Sequence, residues 1–267
     1  MLIKSDKDIK QIISGGRAMG KVLEKLEKMV KPGMTTWEVD VMAEKLIKDA
    51  GGRPAFKGYY TRPGETPFPT TICASINEEL VHGIAKKETF LKDGDIFSID
   101  IGMEWPFHKS NHGLYTDTAI TVPVGKIGKD LIELLRVTKE SLEVGIKAAQ
   151  PGYSVASIGK AIEHYVKSQG PYGIVRDLVG HGVGHAVHED PRVPNYYDPR
   201  LEKIKLKPGM VIAIEPMISM GDWRVTTGPD GWTIVMEDGS LCAHFEHTVI
   251  ITENGNIVAT RRPGEKV

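Results

Sequence analysis

The sequence predicts an α+β protein made of two similar halves packed around a pseudo-two-fold axis. Three observations carry that expectation. KPGMTTWEVDVMAEKLIKDAG (31–51) lines up without a gap on QPGYSVASIGKAIEHYVKSQG (150–170), LKDGDIFSID (91–100) on LKPGMVIAIE (206–215), and YTDTAI (115–120) resembles FEHTVI (245–250). Each match alone is weak, because Pro-Gly before a helix and Gly before a strand are ordinary punctuation. Three in the same order, at offsets of 119, 115 and about 129, are hard to dismiss, and two copies are too few for a solenoid. The repeat spans approximately 31–124 and 150–252 of a single expected domain, 1–267.

The elements follow in order. Ser5 with Asp8 three residues on is a capping-box variant, and Ile9, Ile12, Ile13, Met19, Leu23, Leu26 and Val30 then recur on one broad helical stripe ended by Pro32-Gly33. Thr35 with Glu38 announces a second helix, closed by Gly51-Gly52. Residues 54–71 are rich in Pro, Gly and Thr and form a loop. Short β-like runs follow at 71–76, 96–101 and 119–124, helical patterns at 129–149 and 154–168, and further strands at 211–214, 233–236 and 248–251.

A hydrophobic fraction of 40% is enough for a large core. With 34 basic and 35 acidic residues, nothing in the net charge of −1 calls for nucleic acid or an anionic membrane. Residues 1–31 hold eight Lys/Arg against four Asp/Glu, which reads as a solvated helix face; a ribosome contact draws no support from the count. The charged start MLIKSDKDIK is no signal peptide, no apolar run reaches membrane-spanning length, and Cys73 and Cys242 imply no disulfide framework. A cytoplasmic protein is the expectation.

The repeat pairs Asp100 with Glu215 and sets Asp117 opposite Glu246, all four on or beside apolar strands (SIDIG, AIEP, YTDT, HFEH). A carboxylate among such neighbours is costly to bury unless paired or bound to metal. GHGVGHAVHEDP (180–191) offers nitrogen, with His181, tucked between glycines, as the ligand. His188 is seven residues further on, so on one strand the two would face opposite sides; His185 reads as structural, since Gly182 and Gly184 argue against a zinc-binding helix. Four carboxylates and one imidazole exceed what one structural zinc needs. They suit two oxygen-tolerant divalent ions with bridging carboxylates and an activated water, which is hydrolytic chemistry.

INEELVHGI (76–84), DIFSIDIG (95–102), GHGVGHAVHEDP, AIEPM (213–217) and HFEHTVIIT (244–252) resemble type I methionine aminopeptidases over nearly the whole chain. The resemblance implies the pita-bread (creatinase/aminopeptidase) fold, around a dinuclear site holding Co, Mn, Fe or Zn. It also implies removal of the N-terminal methionine of peptides and nascent chains, by a metal-bridging hydroxide attacking the first peptide bond. It implies Asp117 and Glu246 as bridging ligands, with Asp100 completing one site and His181 with Glu215 the other. His82 would bond the substrate near the scissile amide, His188 would stabilise the developing oxyanion, and Glu215 would also relay a proton to the leaving nitrogen. Tyr59, Phe68, Cys73 and Trp232 fall on positions lining the methionine pocket. The expected protein is a monomer, off the membrane, with a transient ribosome contact left open.

The chain departs from that pattern in three places. GYYTRPGETPFP (58–69) carries extra residues ahead of Phe68, EWPFHKSNHG (104–113) is inserted between Asp100 and Asp117, and Phe56 and Val187 stand where the family more often has a small residue and an aromatic. His108 and His112 in the second insert read as hairpin-tip histidines. A prolidase-like or Xaa-Pro aminopeptidase would use the same five ligands; an inactive binding scaffold would have lost some of them.

Overall fold

The computed structural model describes residues 3–60, 66–108 and 112–265. Its four helices are α1 (Asp6–Met29), α2 (Thr36–Asp49), α3 (Lys129–Ala148) and α4 (Val155–Gln169). Both expected capping boxes form. Ser5 and Thr35 accept from the backbone N–H of Asp8 and Glu38, whose carboxylates return a bond to the cap N–H. The apolar stripe of α1 is spent on packing: Ile12, Met19, Leu23 and Leu26 are fully buried.

Each half centres on an antiparallel strand pair covered by two helices. In the first, Ile96–Trp105 pairs with Leu114–Pro123 in the register Ile99↔Ile120, Asp100↔Ala119 and Gly102↔Asp117, and Ile72–Ile76 lies on its other edge with Cys73 opposite Asp100. In the second, Val211–Ile214 pairs with His247–Thr252 in the register Ile214↔His247, and its other edge carries Gly180–Gly182. One apolar cluster runs through both, from Leu23 and Val39 past Ile99 and Ile120 to Ile158, Ile212 and Val249. Threonines stitch the seam. Thr121 Oγ1 donates to His244 O and accepts from His244 N, and Thr118 Oγ1 donates to Glu246 O.

The central strands of the first half are longer than the sequence pattern marked. Residues 102–105 and 114–118 also pair, so the insert lengthens the hairpin. His108 and His112 lie at its exposed tip as expected; residues 109–111 of it, and 61–65 of the loop before Phe68, fall outside the described residues. The insert also hides Glu104, fully buried against Arg53 and accepting from Gly113 N. Strands of three residues, Glu79–Val81, Met217–Ser219 and Cys242–His244, are too short to show a period and were not expected.

Candidate metal centre

Where the two strand pairs meet, four carboxylates turn inward. Asp100 and Asp117 come from the middle of the long hairpin, Glu215 from the residue after Val211–Ile214 and Glu246 from the residue before His247–Thr252. His181 enters from Gly180–Gly182, its Nε2 3.5 Å from Glu215 and 3.9 Å from Asp117. One ligand atom from each of Asp100, Asp117 and Glu246 lies within 4.8 Å of the others, and His181, Glu215 and Glu246 satisfy the same limit. A third such group joins Asp117 to His181 and His188. Asp117 and Glu246 are thus the carboxylates that belong both to the acidic trio and to a group containing His181.

The electrostatics point to a missing positive charge. Asp100 Oδ1, Asp117 Oδ1 and Glu246 Oε1 are buried without a hydrogen-bond partner. Burial pushes Asp100 up to about 6. Burial, then the neighbouring carboxylates, push Asp117 and Glu246 well above the carboxylate range. Burial would raise Glu215 too, but the His244 and His181 imidazoles, each with Nε2 3.5 Å from it, outweigh burial and hold it low. Orphaned oxygens converging beside an imidazole nitrogen are the donor set that hard and borderline divalent cations take.

His82 sits at the end of Glu79–Val81 with φ +58°, a conformation non-glycine residues rarely adopt. The next residue explains how the turn is held. Gly83 O accepts from Ala74 N, Gly83 N donates to Ser75 Oγ, and a Cβ at 83 would lie 2.3 Å from Ala74 O. Burial lowers His82 to about 4, so its imidazole is neutral at physiological pH and keeps one N–H to donate.

His181 and His188 do not face opposite sides. The chain is not one strand there: Gly180–Gly182 and Glu189–Val193 are antiparallel neighbours, with a loop between them that reverses at Gly184 (φ +138°). The two rings meet edge to face at 4.4 Å, and His188 Nδ1 bonds the Tyr59 hydroxyl at 2.9 Å. His188 is open to solvent on one side, yet crowding and the adjacent His181 lower it to about 4. His185 points away from the centre, 3.6 Å from Asp8, in keeping with its structural reading.

All eleven residues singled out from sequence line one cavity of about 400 Å³. Its apolar wall is a cluster of Phe56, Phe68, Cys73 and Val187, with Tyr59 and Trp232 against it. Trp232 meets Phe68 edge-on at 5.3 Å and His82 at 6.5 Å. Phe68, despite the extra residues ahead of it, is buried in this wall, and Phe56 and Val187 share it. Burial pushes the Cys73 thiol well up, so it is an inert lining group rather than a nucleophile. Sequence reasoning missed Asp177, Leu178, Arg192 and Met217 at the cavity and His244 beneath it, whose Nε2 is 3.5 Å from Glu215. His244 was legible in principle, since alternation puts it on the face of Glu246.

A family model described as metallopeptidase family M24 matches residues 10–253. The chain belongs to that family. Within M24 it is 45% identical over 261 residues to methionine aminopeptidase 1 of Bacillus subtilis, covering 98% of this chain and 99% of that one. It is 42% identical to the methionine aminopeptidase of Aquifex aeolicus over 96% of this chain and 97% of the relative. A crystal structure of methionine aminopeptidase from Thermotoga maritima superposes with a TM-score of 0.89 at 42% identity, covering 98% of this chain and 99% of that one. Prolidase from Pyrococcus furiosus shares the M24 fold less closely, with a TM-score of 0.72 at 25% identity, covering 99% of this chain and 66% of that one. The two α+β halves expected from the repeat, and the pita-bread fold that the resemblance implies, are therefore the architecture observed. An M24 enzyme is a metal-dependent hydrolase, and the acidic cluster is where this chain can hold its divalent ions.

Proposed function

We propose that this M24 chain is a methionine aminopeptidase that hydrolyses the first peptide bond of peptides and nascent chains beginning with methionine. The observation that carries the reading is one cavity of about 400 Å³ that combines a buried acidic cluster with unpartnered oxygens and an apolar wall of Phe56, Tyr59, Phe68, Cys73 and Trp232. Asp100, Asp117, His181, Glu215 and Glu246 would hold the divalent ions, with Asp117 and Glu246 shared between the acidic trio and the groups containing His181. Ions bound there supply Lewis acidity, polarising the scissile carbonyl and lowering the pKa of water.

The chain's own groups do the rest. Tyr59, Phe68, Cys73 and Trp232 receive the methionine side chain by apolar and sulfur–aromatic contact and exclude water from it. His82, neutral and aimed by its strained turn, donates to the substrate at the scissile amide. His188, steadied by Tyr59, donates to the carbonyl oxygen as negative charge develops there. Glu215, held ionised by His244 and His181, accepts a proton and delivers it to the leaving nitrogen.

We read the chain as one catalytic unit, a cytoplasmic monomer meeting nascent chains by a transient ribosome contact at most. No helix among the described residues is long and apolar enough to cross a membrane.

The test is hydrolysis of Met-Ala-Ser against Ala-Pro-Ala by metal-free protein reloaded with manganese, iron, cobalt or zinc, alongside Asp117→Asn. Release of methionine that requires metal and disappears in the variant is the expected result. Cleavage only before proline would move the chain to the prolidase branch, and no cleavage with metal bound would refute the reading.

A further inference from the structure

The loop joining His181 to His188 is braced from an unexpected direction, the first residues of the chain. Lys4 precedes α1, yet its side chain is 1% exposed and its Nζ lies 2.5 Å from Glu189 Oε2, itself shielded from solvent. The other carboxylate oxygen, Oε1, accepts from the backbone N–H of both His185 (2.6 Å) and Ala186 (3.0 Å). Glu189 therefore holds the inside of the loop with one oxygen and is itself held by Lys4 with the other. The Lys4 stem lies against Gly184, where an added Cβ would come within 2.5 Å of Lys4 Cε. The Lys4 backbone is tied down as well, its N–H donating to Gly209 O at 2.8 Å. From the opposite side Tyr115 N donates to Gly184 O at 2.7 Å, two residues before Asp117. The loop is thus clamped between the N-terminal segment and the strand that carries a cluster carboxylate.

We propose that Lys4 is a positioning residue for the reaction: through Glu189 it fixes the 183–188 loop and so the placement of the His188 ring over the cavity. The inference rests on the proposed aminopeptidase reading for the role of His188, but the clamp can be read without turnover. A buried ammonium and carboxylate stay only because each satisfies the other, and removing one leaves its partner charged and unpaired against the loop backbone. Glu189 is the only side chain among the described residues bonded to the His185 and Ala186 N–H groups. When it reorients toward solvent those amides lose their acceptor and His188, two residues on, loses its seat. Misplacement of a catalytic group by about an ångström costs about 100-fold in rate.

The experiment compares Lys4→Met, which keeps the stem and removes the charge, with Lys4→Arg, which keeps a cation, in the metal-loaded protein. The readouts are kcat and KM on Met-Ala-Ser, metal content, and hydrogen exchange of the His185 and Ala186 amides. Lys4→Met should lower kcat by about 10- to 100-fold with metal content unchanged, deprotect both amides, and add nothing further in a His188→Ala background. Lys4→Arg should restore most of the amide protection and kcat. Should Lys4→Met prove too unstable, Lys4→Met with Glu189→Leu removes the stranded charge together with the acceptor of both amides and is expected to show the same loss of kcat. Wild-type kcat in Lys4→Met, amides as protected as in the wild type, or full additivity with His188→Ala would overturn the proposal. If the wild type itself releases no methionine the function fails, while the amide exchange still decides whether Lys4 holds the loop.

Discussion

The backbones of Ala119 and Glu246 exchange two hydrogen bonds, Glu246 N to Ala119 O at 3.0 Å and Ala119 N to Glu246 O at 3.4 Å. The pair joins the long hairpin of the first half to the start of His247–Thr252 in the second, so the acids of both halves are spaced by main-chain geometry rather than by side-chain flexibility. Two residues along, Thr248 Oγ1 accepts from Asp117 N at 2.9 Å and donates to Asp117 O at 2.8 Å.

That double bond makes Thr248 a test of the seam. Thr248→Val keeps the shape and strands both backbone groups of Asp117, which should cost about 1–3 kcal/mol of stability. Urea unfolding should show that loss, and calorimetric titration should show weaker metal binding, because Asp117 is no longer held in place. Thr248→Ser should stay close to wild type in both.

Neutralising a cluster acid should stabilise the metal-free protein while destroying its metal site. Asp117 and Glu246 have native pKa values raised by burial and by each other. A carboxylate raised in the native state binds more protons folded than unfolded, so stability falls as pH rises toward that native value. With chelator at neutral pH, Asp117→Asn and Glu246→Gln should therefore melt above wild type. Adding manganese should reverse the order, since only the wild type gains from binding. A metal-free variant melting below wild type would contradict this account.

The C-terminal segment should carry part of the acid sensitivity. Burial would raise Glu265, but the hydrogen bond from His247 and the charge of Arg262 outweigh it and hold it down at about 2. Burial also lowers His247. A depressed carboxylate contributes stability that is present above its unfolded value of 4.5 and is lost as pH falls toward its native value near 2. The depressed imidazole acts in the same direction, because below 6.5 the unfolded chain takes up a proton that native His247 refuses. Unfolding with chelator should find Glu265→Gln less stable than wild type near pH 7, the gap closing between about pH 5 and pH 2. A gap that is constant with pH would remove the charge from the explanation.

Trp232 should govern substrate affinity more than chemistry. It leans on Phe68 and faces His82 in the apolar wall. Trp232→Ala should raise KM for Met-Ala-Ser by about tenfold, the scale of a lost sulfur–aromatic contact, with metal content unchanged and kcat reduced less. Loss of metal in this variant would show that the wall supports the cluster instead of the substrate.

Much of this was legible in the sequence, because it is written in local patterns. The capping pairs Ser5/Asp8 and Thr35/Glu38, the apolar stripe of α1 and the Gly-led strands at 96 and 211 act over a few residues, and a pattern of that range survives without knowledge of the fold. The repeat extended the reach: setting 91–100 on 206–215 put Asp100 beside Glu215 before any contact was known. What sequence alone could not decide was direction. Whether His181 and His188 face one cavity depends on the reversal at Gly184, and that reversal on Tyr115 N and on Lys4, which are remote in the chain and act with nearby Glu189. Glu104, in the stretch inserted between Asp100 and Asp117, is buried against Arg53, and His244, two residues before Glu246, lies 3.5 Å from Glu215. In each case the deciding partner comes from a distant segment, and burial of a charge is settled only when the fold supplies the group that compensates it.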